Sequence, residues 1–212
     1  MSGATQHHRQ FGPFEAARQE AGTPSIAHCD RDRFRDVIGH FASGVTIITA
    51  RFDDEDFGVT ANAVSSLSLD PPTMLVCLNR ASRTQSAVSR SKAFSVNILN
   101  ESQGDLAVRF ATSETDKFRG VGVSYGELGI PLLDGALAHI ECRVIEEVAG
   151  GTHAVFLAGV ERAERFDGAP LAYFRGRFGR LELDQSVPDD ADILDPALGR
   201  YFYDAVTSFI SG

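Results

Sequence analysis

Gly58-Val59-Thr60-Ala61-Asn62-Ala63-Val64-Ser65-Ser66-Leu67-Ser68-Leu69-Asp70-Pro71-Pro72 is the stretch on which the reading of this chain turns. Val59, Thr60 and Val64 give it strand character, small residues dominate it, and a double proline ends it. A planar heteroaromatic ring lies flat against a strand only where side chains are slim. Such a strand also offers free N–H and C=O groups along its edge. Asn62 adds an amide that both donates and accepts, matching a ring edge of alternating carbonyl and nitrogen. The same slimness suits a tightly packed strand crossing at a barrel corner, and the residues by themselves allow either.

Outward from this run the pattern is one of short strands. Val45 to Ala50, Phe57 to Val64, Thr73 to Leu78 and Phe94 to Leu99 are rich in β-branched or aromatic residues and bounded by turn residues. A long hairpin, Ala138 to Val148 and His153 to Phe166, turns on Gly150-Gly151, and Leu171 to Phe174 and Phe178 to Leu183 follow. Helices are predicted from Asp30 or Asp32 to Gly44, from Ser82 to Ser89 and from Ser102 to Ala111. The first carries Phe34, Val37, Ile38 and Phe41 on one face and is expected to cap the sheet. Asp53-Asp54-Glu55-Asp56 reads as a solvated acidic turn. Strands without regular strand-helix alternation favour an antiparallel barrel: a mainly β fold with flanking helices.

At 212 residues, one domain is the default. The expected division is a polar arm over 1–30, one domain over 31–184, and a linker with an amphipathic helix over 185–212, where Leu198, Phe202, Val206 and Phe209 recur.

Asn79-Arg80-Ala81-Ser82-Arg83-Thr84 sits between a strand and a helix. A helix N-terminus offers unpaired N–H groups and partial positive charge, so hydroxyls and arginine there suit a phosphate. Ordinary capping by Ser82 or Thr84 is the alternative, and two arginines in an acidic protein favour the anion.

Other chemistries find no support. Net charge is −9, from Lys+Arg 20 against Asp+Glu 29, with no basic stripe, so nucleic acid is not an expected partner. There is no Gly-x-Gly-x-x-Gly, no Walker lysine motif and no Gly-x-Ser-x-Gly elbow. His7-His8, His28-Cys29 and His139-Ile140-Glu141-Cys142 lack metal-ligand spacing, so no metal is expected. Cys29, Cys77 and Cys142 form no Cys-x-x-Cys pair, and no apolar run suits a signal peptide or a membrane span. A cytoplasmic protein that does not enter membranes is therefore expected, and the Asn100-Glu101-Ser102 sequon reads as chance.

With these residues in view, the chain resembles the short-chain NAD(P)H:flavin oxidoreductases, the reductase components of two-component flavin monooxygenases. The resemblance runs from about Phe34 to Leu183. It rests on motifs in the family's order: Phe34-Arg35 through Phe41-Ala42-Ser43-Gly44-Val45-Thr46, then Gly58 to Pro72, Ser82-Arg83-Thr84 and Phe94-Ser95-Val96-Asn97. Asp116-Lys117-Phe118, Gly151-Thr152-His153 and Tyr173-Phe174-Arg175-Gly176 complete it.

The resemblance implies a Greek-key split β-barrel of the FMN-binding type and a homodimer. It also implies reduction of free or loosely bound FMN or FAD by NADH or NADPH, with reduced flavin diffusing to a separate flavin-dependent monooxygenase. By residue match, Phe57, Gly58, Val59, Thr60, Asn62 and Ala63 line the isoalloxazine, Cys77, Leu78 and Asn79 the ribityl side, and Ser82, Arg83 and Thr84 the phosphate. Arg109, Phe110 and Lys117 match further flavin contacts, and His153, Tyr173 and Phe174 the nicotinamide site. Hydride transfer between stacked rings needs no side-chain nucleophile, so no catalytic residue is assigned. FMN and FAD share the ring, ribityl chain and first phosphate, so these motifs address either. Arg175, Arg177 and Arg180 suit a solvated strand face or a 2′-phosphate. Two rivals share the fold: a flavin-binding protein without turnover, and a protein binding haem or another small ligand.

Overall fold

The computed structural model describes residues 29–182. The proposed carboxy-terminal helix and nearly all of the amino-terminal arm lie outside them. In chain order the elements are α1 (Arg31–Ile38), β1 (Ser43–Gly44), β2 (Thr46–Phe52), β3 (Glu55–Ala61), β4 (Val64–Leu69), β5 (Pro72–Asn79), α2 (Arg83–Ser91) and β6 (Ala93–Ile98). A 3-10 turn (Glu101–Gln103) leads into α3 (Gly104–Ala111), followed by β7 (Val123–Tyr125), β8 (Pro131–Leu133), β9 (Ala138–Gly150), β10 (His153–Arg165), β11 (Leu171–Phe174) and β12 (Arg177–Arg180).

Seven strands form one antiparallel sheet in the order β3-β2-β6-β9-β10-β5-β4. Strands β3 and β4 are therefore opposite edges, yet only Asn62 and Ala63 separate them in the chain. A link that short reaches about 10 Å when extended, so the sheet has to curl until its edges meet. Among the described residues no ladder joins β3 to β4, so the barrel is split at this seam. The β4–β5 pairing runs on to the corner itself, where the Cys77 amide donates to the Ala63 carbonyl at 2.9 Å. The predicted single strand from Phe57 to Val64 is thus two strands, and Asn62-Ala63 is a barrel corner.

Strand β2 is buried on both faces from Thr46 to Ala50, with Ile47 and Ile48 turned to opposite sides. Ile48 and Ala50 face the barrel interior with Val76, Phe94, Val96, Phe156 and the α2 residues Ala87 and Val88. Ile47 faces outward into a second cluster with Leu99, Ala107, Phe110, Leu133 and Leu171. Strands β1, β11 and β12 form a small sheet, and β7 pairs with β8. Asn97 binds this outer layer to the barrel: its amide donates to the Ile47 carbonyl at 3.0 Å, and its carbonyl accepts from the Leu133 amide at 2.8 Å.

Two expectations need correction. Helix α1 ends at Ile38 rather than Gly44, because Ser43 and Gly44 pair with Tyr173 and Ala172. Nor does it cap the sheet: Phe34, Val37, Ile38 and Phe41 are 52–74% exposed. The acidic turn is ion-paired rather than merely solvated. Asp53 and Asp54, at φ 51° and 59°, make the tight β2–β3 hairpin, and arginines gather round it.

Candidate functional site

A cleft of about 350 Å³ opens between β3, the start of α2 and the segment after α3. That size falls in the usual range for small-molecule sites.

The α2 start is locally determined. Ser82 is the N-cap, its hydroxyl accepting from the Thr84 amide at 3.2 Å, while its own amide donates to the Asn79 carbonyl at 2.9 Å. The Asn79 side chain accepts from the Ala81 amide at 2.9 Å, closing the turn. No acidic residue lies in the first turn of α2, so the partial positive charge of its N-terminus is left for another anion.

Two cations face this cleft. The Arg83 guanidinium stands 5.2 Å from the Phe57 ring centroid and donates to Glu55 Oε1 at 2.5 Å. Lys117 Nζ donates to the carbonyls of Gly58 at 3.2 Å and Phe110 at 3.0 Å. Burial holds the Lys117 ammonium below the usual lysine range, and the nearby Arg83 charge lowers it further. Two cations held this close favour an anion between them.

Phe57, Gly58, Val59, Asn79, Ser82, Arg83, Thr84 and Lys117 line this cleft together. The slimness of Gly58 has a specific use: a Cβ there would meet Phe110 Cε1 at 2.4 Å. Phe110 fills that space, fully buried, with Phe118 edge-on at 5.0 Å between centroids. Phe110 therefore supports the wall from behind.

Other candidates stand elsewhere. Thr60 turns away, donating from Oγ1 to the Ala107 carbonyl at 2.6 Å. Leu78 is buried in the barrel interior, and the half-buried Cys77 thiol is pushed up by burial. Arg109 donates to the Arg119 carbonyl at 2.7 Å and lines a separate shallow hollow. Asn62 and Tyr173 line a second cleft beside α1, with Phe41 and Arg175, while Ala63 accepts from Cys77 of β5 at the barrel corner. Phe174 meets His40 edge-on at 6.0 Å. His153 pairs with Asn79 across the β5–β10 ladder, its Nδ1 2.9 Å from Thr152 Oγ1. Among the described residues no helix is long and apolar enough to cross a membrane, and no three His, Cys, Asp or Glu side chains gather as metal ligands.

Sequence reasoning left out Glu55, Asp56 and Phe118. Phe118 stands in the quoted Asp116-Lys117-Phe118 motif, and the acidic turn gave no sign of which arginine each carboxylate would meet.

The cleft suits a phosphorylated aromatic ligand: aromatic carbon on its walls, a strand edge at β3, and a cationic end at α2. The chain is 49% identical over 152 residues to the reductase component of a Rhodococcus opacus 4-nitrophenol 4-monooxygenase/4-nitrocatechol 2-monooxygenase, covering 72% of this chain and 82% of that one. A solved nitrilotriacetate monooxygenase component B homologue from Mycobacterium thermoresistibile superposes with a TM-score of 0.70 at 36% identity, covering 76% of this chain and 93% of the other. The Streptomyces globisporus NADH:FAD oxidoreductase SgcE6, solved with NAD and FAD fragments, gives a TM-score of 0.70 at 35% identity over 74% and 95% of the two chains. The sequence profile described as the flavin reductase-like domain matches residues 38–182, and the chain belongs to that family.

Proposed function

We propose that this protein is an NAD(P)H:flavin oxidoreductase that reduces free or loosely bound FMN or FAD and supplies it to a separate flavin-dependent monooxygenase. The observation that carries the reading is the convergence of Arg83, Lys117 and the α2 N-terminus on a cleft walled by Phe57 and β3 backbone.

Bound flavin supplies a ring that takes hydride from reduced nicotinamide. Ser82, Arg83 and Thr84 would hold its phosphate, and Lys117 would add a second positive charge. Phe57 and Val59 would line the ring, with Phe110 and Phe118 packed against the opposite face of β3 at Gly58. Of the nicotinamide candidates, His153 adjoins the cleft through its pairing with Asn79, while Tyr173 and Phe174 would reach a nicotinamide from the side of α1. Hydride transfer needs the two rings stacked with reacting atoms ~3–3.5 Å apart, and the cleft residues would serve by holding the flavin in place for it. No side chain is asked to move a proton.

The working unit is a homodimer in the cytoplasm, with the barrel as its one catalytic domain. The exposed apolar residues Phe34, Val37, Ile38 and Phe41 of α1 and its neighbourhood support the dimer, since a second copy would cover them. Three unpaired cysteines, Cys29, Cys77 and Cys142, support a reducing compartment.

The test is an NAD(P)H oxidation assay crossing both nicotinamides with FMN, FAD and riboflavin. Turnover that depends on added flavin is the expected result. Flavin bound without any nicotinamide oxidation would reject the reductase.

A further inference from the structure

We infer that Glu55 is a built-in rival for the flavin phosphate: by pairing with Arg83 it weakens phosphate binding and lets flavin leave. The inference rests on the assignment of Arg83 to the phosphate.

Glu55 differs from its neighbours in the acidic turn. Asp53 pairs with Arg90 at 3.7 Å, while Asp54 and Asp56 pair with Arg51 at 3.5 and 3.1 Å. Neither of those arginines lines the cleft, whereas Arg83 does. Glu55 alone in the turn therefore engages a cation of the site, at 2.5 Å.

The backbone makes this pairing a consequence of register. Residues 55 and 57 share one face of β3, so Glu55 and Phe57 flank the same guanidinium, one as counter-ion and one as aromatic support. Both partners of the ion pair are about half exposed, at 53% and 54%. Exposed pairs contribute little to stability and exchange readily, so this one is poorly suited to bracing the fold and well suited to being displaced. An arriving phosphate has to draw Arg83 away from Glu55 or accept a carboxylate beside it. Either way affinity falls. A reductase whose product must depart gains from that.

The proposal predicts a phosphate-specific effect. FMN and riboflavin dissociation constants are measured by fluorescence titration for the native chain, Glu55→Gln, Asp54→Asn, Arg83→Ala and the Glu55→Gln/Arg83→Ala double variant. Glu55→Gln should tighten FMN about two- to fivefold, the range expected for an exposed pair, and leave riboflavin unchanged. Asp54→Asn removes an equal charge from the same turn and should leave FMN affinity unchanged. With Arg83→Ala in place, Glu55→Gln should have no effect. FMN affinity unaltered by Glu55→Gln, or altered equally by Asp54→Asn, overturns the inference. Weakened FMN binding in Arg83→Ala beside a silent Glu55→Gln rejects the rival alone. Native FMN affinity in Arg83→Ala removes the phosphate assignment and, with it, the rival.

Discussion

The two apolar clusters on either side of β2 are built from similar residues but do different work. The interior one, around Ile48, Phe94 and Phe156, is enclosed by the barrel wall and plugged by Ala87 and Val88 of α2. The outer one, around Ile47 and Phe110, has Phe118 at its margin, and Phe118 also lines the cleft. Both clusters abut the cleft, the interior one through Phe57 and Val59, but Gly58 of the wall seats directly on Phe110 of the outer cluster, whereas Phe156 is fully enclosed in the barrel. Substitutions on the two sides should separate stability from ligand affinity.

The largest effect is expected inside. Phe156→Ala should cost about 3–5 kcal/mol in denaturant unfolding, the usual range for a buried phenylalanine, while the folded fraction keeps its FMN affinity. Loss of affinity beyond the unfolded fraction would show that the interior shapes the site as well.

Alkali probes the same interior. Burial, with Glu141 and Glu161 adding to it, pushes the Cys142 thiol from 9.0 up to about 12. The unfolded chain ionises first, so stability is intact below about pH 9 and falls as pH rises toward 12, by about 1.4 kcal/mol for each pH unit in that window. Lys117 works in the opposite sense: its folded ammonium is held low, so that penalty is relieved as pH rises. Comparing Cys142→Ala with the native chain isolates the thiol. Parallel stability–pH curves for the two would contradict the shift.

On the outer side, Gly58→Ala brings a Cβ 2.4 Å from Phe110 and should cost about 1–3 kcal/mol as an overpacked contact. Unlike Phe156→Ala, it should also weaken FMN and riboflavin alike, because the wall itself moves. Unchanged affinity would break the proposed link between outer cluster and cleft. The smallest effect is reserved for Ser82→Ala. Losing the cap costs about 1 kcal/mol, and FMN should weaken more than riboflavin.

Most strands were legible because their cues are local: β-branched runs with turn residues between them, and Gly151 in the β9–β10 hairpin. Ser82 was legible as a cap for the same reason. What escaped depends on distant partners. The break at Asn62-Ala63 follows from strand order, which no short window contains. The three-residue strands β7 and β8 are held through Asn97 and Thr49, far away in the chain. The slimness of Gly58 is plain in the sequence, but that Phe110, fifty-two residues on, occupies the vacated side depends on how α3 packs against β3. The apolar stripe of α1 announced a helix without saying what would cover it.

The split seam carries a hazard that closed barrels avoid. A sheet with two free margins can template pairing with another chain, and the run from β3 through β4 supplies both margins. Each is blunted differently. Helix α3 lies against β3, fastened by the Thr60 hydroxyl, while the register of β4 is broken between Ser66 and Ser68. Both features make the opening that divides the barrel a poor template for foreign strands.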